Sequence, residues 1–232
     1  MVTSPSPSDG KSTTTANLAV SLAQAGKRVL LVDADLRRPT VYFTLGMSKG
    51  PGLADFIENE ATFEDCCRLS EQPNLSVCTH GKTTSRPAEL LEDEVFRTFL
   101  QSARAVYDIV LIDTPPLLAV ADPAVVANLV DGCFLTILVK KNNRTLVERA
   151  TAILREHDCK ILGVIVNSSE ARRGGYGYSS YNYYGKGEYG YVKSYRNYYA
   201  AKDGVETTAV EQRKSSRNGH HARKEGDGVK TS

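Results

Sequence analysis

Two short apolar runs, VLLVD at residues 29–33 and IVLID at 109–113, each end on an aspartate. Neither alternates polar with apolar residues, so each reads as a strand buried on both faces. Strands of that kind occur in parallel sheets covered by helices on both sides. A parallel sheet brings the carboxyl ends of its strands to one rim, and that rim is where such folds bind ligands. The two aspartates are therefore expected side by side. Further runs at 75–79, 134–140 and 161–167 supply more strands, and helical spacing recurs at about 12–25, 88–106, 123–130 and 144–157. Asp122-Pro123 is a good helix start, an N-cap acceptor followed by proline. Only residues 1–4 precede the first loop, whereas a central strand runs roughly 5–6 residues. The first strand thus reads as clipped and the N-terminus of the domain as truncated.

The third constraint is the segment PSPSDGKS at 5–12, between that short strand and the first helix. A phosphate loop needs converging backbone N–H groups, a lysine for the β and γ oxygens and a hydroxyl for Mg²⁺. Gly10, Lys11 and Ser12 supply the last turn, Thr13 a second hydroxyl, and the helix its positive end. The usual first glycine of such a loop is Pro5 here. The fold class expected is α/β: a parallel P-loop NTPase sheet flanked by helices, with a disordered C-terminal tail. Asp33 and Asp35 leave their strand at i and i+2, and Asp113 follows the other buried strand. One carboxylate can hold a Mg²⁺-bound water and another can take a proton from a nucleophile.

Charge divides the chain. Residues 1–169 hold 17 Lys+Arg against 20 Asp+Glu, and the remainder 12 against 7. The expected division is a P-loop ATP-binding domain at 1–170, a Tyr/Gly-rich segment at 171–199 and a disordered polar tail at 200–232. Ten of the 12 tyrosines fall in 174–199: Tyr176, Tyr178, Tyr181, Tyr183, Tyr184, Tyr189, Tyr191, Tyr195, Tyr198 and Tyr199. Taken alone, that segment reads equally as a set of phosphate acceptors or as a low-complexity RNA-binding tail. The net charge of only +2 argues against a dedicated nucleic-acid binder. Five scattered cysteines without a CxxC pair exclude a disulfide framework or zinc site, and no apolar run nears the ~20 residues of a membrane span. Cys66 and Cys67 read as buried helix positions, His80 as a loop residue and His157 as a helix end.

In order and spacing, TSPSPSDGKSTTTANLA, LLVDADLRRP and YDIVLIDTPPLLAVADP resemble the Walker A, A′ and B regions of bacterial tyrosine kinases. The resemblance is to the cytoplasmic kinase domain tied to capsule and exopolysaccharide synthesis. PNLSVCTHG followed by RPAELL, then ILGVIVN and the tyrosine cluster, extend it over residues 1–199. It implies an ATP-dependent protein-tyrosine kinase that phosphorylates its own tyrosine cluster. Asp9, Gly10, Lys11, Ser12 and Thr13 would hold ATP, with Asn167 near the adenine. Ser12, Asp35 and Asp113 would position Mg²⁺, and Asp33 would accept the tyrosine proton. Arg37 and Arg38 would serve ring assembly or acceptor docking. The resemblance further implies a transmembrane polysaccharide co-polymerase as activator, a homo-oligomer for the full-length form, and a cytoplasmic place at the inner face of the plasma membrane through that partner.

Two departures stand out. Ser8 occupies a position where the family usually has glycine, which is expected to lower nucleotide affinity. The family's Glu-x-x-Arg-x-x-Arg assembly pattern is not found in this sequence. Two other readings remain open at this point. A partition or cell-division-site ATPase would carry a lysine where Ser6 stands, and a non-catalytic nucleotide-binding regulator would tolerate the irregular loop.

Overall fold

The computed structural model describes residues 1–167, so the tyrosine cluster and the polar tail lie outside the described residues. In chain order the elements are β1 (Val2–Thr3), α1 (Lys11–Gln24), β2 (Val29–Asp33), α2 (Val41–Thr44), α3 (Leu53–Ile57), α4 (Phe63–Cys66), β3 (Cys67–Leu69) and β4 (Leu75–Cys78). There follow α5 (Pro87–Glu92), α6 (Glu94–Val106), β5 (Ile109–Asp113), α7 (Asp122–Ala127), β6 (Cys133–Leu138), α8 (Arg144–Glu156) and β7 (Ile161–Asn167). The seven strands form one sheet in the order β3-β4-β2-β5-β1-β6-β7. All pairings are parallel except β3 against β4. This is the expected parallel sheet, with one antiparallel edge strand added.

Register fixes the rim. Asp33 of β2 lies opposite Asp113 of β5, and Asp113 lies opposite Val2 of β1. Successive residues of β2 serve opposite faces: Leu30 and Val32 join a core with α3 and α6, whereas Val29 and Leu31 pack on α1. Small buried residues Ala16, Ala19 and Ala23 let α1 lie close against the sheet. On the other face Phe99 meets Phe56 and Phe63 with ring centroids 5.2 and 5.3 Å apart.

Several boundaries differ from the sequence reading. The helix expected at 88–106 is two helices: Asp93 is extended, and its carboxylate accepts the Val95 N–H at 2.9 Å to start α6. Strand β6 stops at Leu138 because the chain turns there, with Asn142 Oδ1 accepting the Leu138 N–H at 2.7 Å. Asp122 is the first residue of α7, not its cap. Cys66 ends α4 and is buried, but Cys67 opens β3 and is half-buried. Strand β7 is not buried on both faces. It closes one edge of the sheet, and Leu162, Val164 and Val166 are exposed.

Candidate active site

The site is built at the carboxyl ends of β1, β2 and β5, where the loop after β1 enters α1. Gly10 caps that helix at φ 90°, a left-handed conformation. A Cβ there would also meet Asn167 Nδ2 at 2.4 Å and displace that side chain, but the positive φ is what calls for glycine. Ser8 takes φ 61° without that freedom. Asp9 is buried and shapes the loop from inside: its Oδ2 accepts the Ser6 N–H at 2.8 Å. Asn167, at the end of β7, donates from Nδ2 to the Asp9 carbonyl at 2.8 Å and lies 3.5 Å from Thr14 Oγ1.

Lys11 is buried, and its Nζ donates to Asp35 Oδ2 at 3.0 Å and to Ser12 Oγ at 3.1 Å. Asp113 Oδ2 lies 3.7 Å from the same nitrogen. Burial pushes the Asp113 carboxyl up from its ordinary range, and Lys11 and the Ser12 hydroxyl oppose the rise. Asp33 is pushed well up, by burial first and then by the charges of Asp113 and Asp35. Its oxygens accept backbone N–H groups from Asp35 at 3.2 Å, Thr40 at 3.2 Å and Val41 at 3.1 Å. Asp33 therefore shapes the loop 35–41 as well as lining the rim. Thr13 is exposed on the first turn of α1, while Thr15 Oγ1 reaches Asp113 Oδ1 at 3.4 Å.

Thus Asp9, Gly10, Lys11, Ser12, Asp33, Asp35, Asp113 and Asn167 converge, with Thr13 at the margin. The ten tyrosines lie outside the described residues. Arg37 is half-buried. Its guanidinium forks onto the fully buried Asp122 carboxylate at 2.7 and 3.0 Å, tying the loop after β2 to α7. Sequence reasoning also missed the turn after β6. Asn142 Nδ2 donates to Asp9 Oδ2 at 3.1 Å, and Lys141 bonds the Pro7 carbonyl and lies 3.4 Å from Asp9 Oδ1. The available signal was the polar cluster KKNN at the carboxyl end of a buried strand, on the same rim as the phosphate loop.

The residues fit a hard divalent cation. Asp113 Oδ2 is buried without a hydrogen-bond partner among the described residues, and Ser12 Oγ and Asp35 lie beside it across Lys11. No group of three or more His, Cys, Asp or Glu among the described residues makes an all-protein metal site. Magnesium takes one or two carboxylates and completes its shell with phosphates and water.

The family described as an AAA domain matches residues 8–130. The chain is 40% identical over 185 residues to the tyrosine-protein kinase YwqD of Bacillus subtilis, covering 80% of this chain and 76% of that one. The chain belongs to the bacterial tyrosine-protein kinase family. The kinase is also 36% identical to the putative tyrosine-protein kinase CapB of Staphylococcus aureus, with 79% of each chain covered. Among solved structures it superposes on the VpsO kinase domain with a TM-score of 0.71 and 37% identity, covering 73% of this chain and 84% of that one. The chimerical protein CapA2B2 gives 0.70 and 32%, covering 72% and 74%. The septum site-determining protein MinD of Pyrococcus horikoshii, complexed with Mg-ADP, gives 0.62 and 25%, covering 71% and 68%. The kinase is thus a tyrosine-protein kinase of capsule and exopolysaccharide systems, and its P-loop fold is a nucleotide-binding one. The rival reading as a division-site ATPase shares the fold, but the more similar relatives are kinases. No helix among the described residues is long and apolar enough to cross a membrane.

Proposed function

We propose that the kinase uses Mg-ATP to phosphorylate its own tyrosine cluster, one chain acting on another. The observation that carries this reading is the meeting of Lys11, Ser12, Asp35 and Asp113 at the ends of three adjacent strands. Phosphoryl transfer asks the protein mainly for positioning and charge neutralisation. Lys11 is held by the carboxylates until a γ-phosphate competes for its ammonium. The backbone N–H groups of the loop and the start of α1 bind the remaining phosphate oxygens. Ser12, Asp35 and Asp113 would hold magnesium, which when bound neutralises charge on the β and γ oxygens. Asp33 is the carboxylate that takes the proton of the incoming tyrosine hydroxyl. Asn167, bonded to the loop at the Asp9 carbonyl, would lie near the adenine.

The acceptors are Tyr176, Tyr178, Tyr181, Tyr183, Tyr184, Tyr189, Tyr191, Tyr195, Tyr198 and Tyr199. Each phosphate adds about −1.5 to −2 charge, so several reverse the basic balance of residues 170–232. The family resemblance supports a transmembrane activator as partner, and the CapA2B2 chimera, one protein named for two, supports a two-part assembly. The test mixes wild-type kinase with a tagged Lys11→Met chain and Mg-ATP. Phosphotyrosine on the tagged chain, mapped to 176–199, is expected. Modification confined to the wild-type chain would refute transfer between chains.

A further inference from the structure

Three of the five cysteines, Cys66, Cys67 and Cys78, meet where β3 pairs with β4. The register sets Cys67 opposite Cys78, Arg68 opposite Val77 and Leu69 opposite Ser76. One step further, the Ser70 N–H donates to the Leu75 carbonyl at 2.9 Å, so 70 and 75 form a hydrogen-bonded pair. Hydrogen-bonded and non-hydrogen-bonded pairs alternate along an antiparallel ladder. Counting back, 68 and 77 are hydrogen-bonded, and Cys67 and Cys78 form a non-hydrogen-bonded pair. At such pairs the Cα atoms lie about 4.5 Å apart and the side chains share one face. That separation falls inside the disulfide window of about 4.4–6.8 Å.

The geometry points to a reversible Cys67–Cys78 disulfide, formed when the kinase meets a peroxide. Cys67 is half-buried and reachable, while Cys78 is fully buried beside it. Burial pushes the Cys78 thiol well up and that of Cys66 up to about 12, so neither is the first to react. The Cys66 thiol is also engaged, donating from Sγ to the Gly52 carbonyl at 3.1 Å. In the first step the Cys67 thiolate attacks one peroxide oxygen. The S–O bond forms, the O–O bond breaks, and the departing hydroxide takes a proton to become water. In the second step the Cys78 thiol gives up its proton and attacks the Cys67 sulfur. The S–S bond forms, the S–O bond breaks, and a second water leaves. Two thiols and one peroxide become one disulfide and two waters, the sulfurs losing two electrons to the peroxide.

The bridge would clamp the edge strand to β4, whose residue Cys78 is the register neighbour of Val32, just before Asp33. It would also fix Arg68, whose guanidinium holds the carbonyls of Ser48 and Lys49 at 2.7 and 2.8 Å. In a reducing compartment such a bond is transient and reports oxidant. The test treats the folded kinase with a few equivalents of hydrogen peroxide, blocks free thiols, and maps peptides without reduction. A single intramolecular link between the peptides carrying Cys67 and Cys78 is expected, removed by dithiothreitol. The oxidised protein should unfold at about 1 M more urea than the reduced form, as expected for a closed loop of this length. Cys67→Ser, at a half-buried position, should lose both the link and the shift, and Cys78→Ala should do the same. A Cys66–Cys67 bridge, links between chains, or Cys67 oxidised to sulfinic acid without a bridge would each overturn the proposal.

Discussion

Ser8 holds the phosphate loop in a left-handed turn at φ 61°, with an exposed side chain that bonds nothing among the described residues. An L-residue in that conformation costs about 1–2 kcal/mol relative to glycine in the folded state. Glycine in turn loses more backbone entropy on folding, about 0.5–1 kcal/mol. Ser8→Gly is therefore expected to stabilise the kinase by a net of about 1 kcal/mol. For a domain of this size that raises the melting temperature by about 2–4 °C. Ser8→Ala keeps the Cβ and the strain, so it should leave the melting temperature unchanged. Strain common to the free and bound states would leave nucleotide affinity changed by less than about twofold, since a tenfold change needs 1.4 kcal/mol of difference between those states. The assays are thermal unfolding of the three proteins and titration with an ATP analogue. Equal shifts in the alanine and glycine variants, or a destabilised glycine variant, would refute the backbone argument. A tenfold gain in affinity would show instead that the turn forms on binding.

Three further outcomes follow from the contacts. Asn142→Ala removes both the support of Asp9 and the acceptor for the Leu138 N–H; it should weaken nucleotide binding by about 1–2 kcal/mol, roughly a factor of ten, in the same titration. Arg37→Ala leaves the Asp122 carboxylate buried without its partner and should cost about 3 kcal/mol in urea unfolding. Asp122→Ala should cost less, because Arg37 can turn to water. The Arg28 guanidinium and backbone N–H hold the exposed Asp108 carboxyl down to about 2. A lowered carboxyl stabilises the fold above its unfolded value of about 3.9, and that contribution fades as pH falls through about 2. The gap between wild type and Asp108→Asn should accordingly be constant above pH about 5 and close on acidification, as read from urea midpoints against pH.

The strands that carry the site were legible because they are continuous apolar runs with an aspartate at the end. Residues 29–33 and 109–113 fold as read, and so does 161–167. The last of these misled on burial, however. ILGVIVN has the composition of a central strand but lies at an edge, and composition alone carries no information about lateral neighbours. Cys66 was read as a buried helix position and is one, but the bounds of the short helices between 41 and 66 were missed because helices of four or five residues have no periodicity to detect. Local chemistry explains the split of 88–106: Asp93 offers a better cap to Val95 than a place in a continuous helix. Within the site, Lys11, Asp35 and Asp113 were found from motif spacing. Lys141, Asn142 and the Arg37–Asp122 fork were not, since each depends on a contact across more than 80 residues of chain.

Intact-mass analysis after incubation with Mg-ATP tests the central claim most directly. It should be run beside Lys11→Met and beside a form of the chain ending at Ala171. The account predicts mass additions in whole phosphate units on the wild-type chain and none on either variant alone. Additions that persist in Lys11→Met, or in the form without the tyrosine cluster, would contradict it.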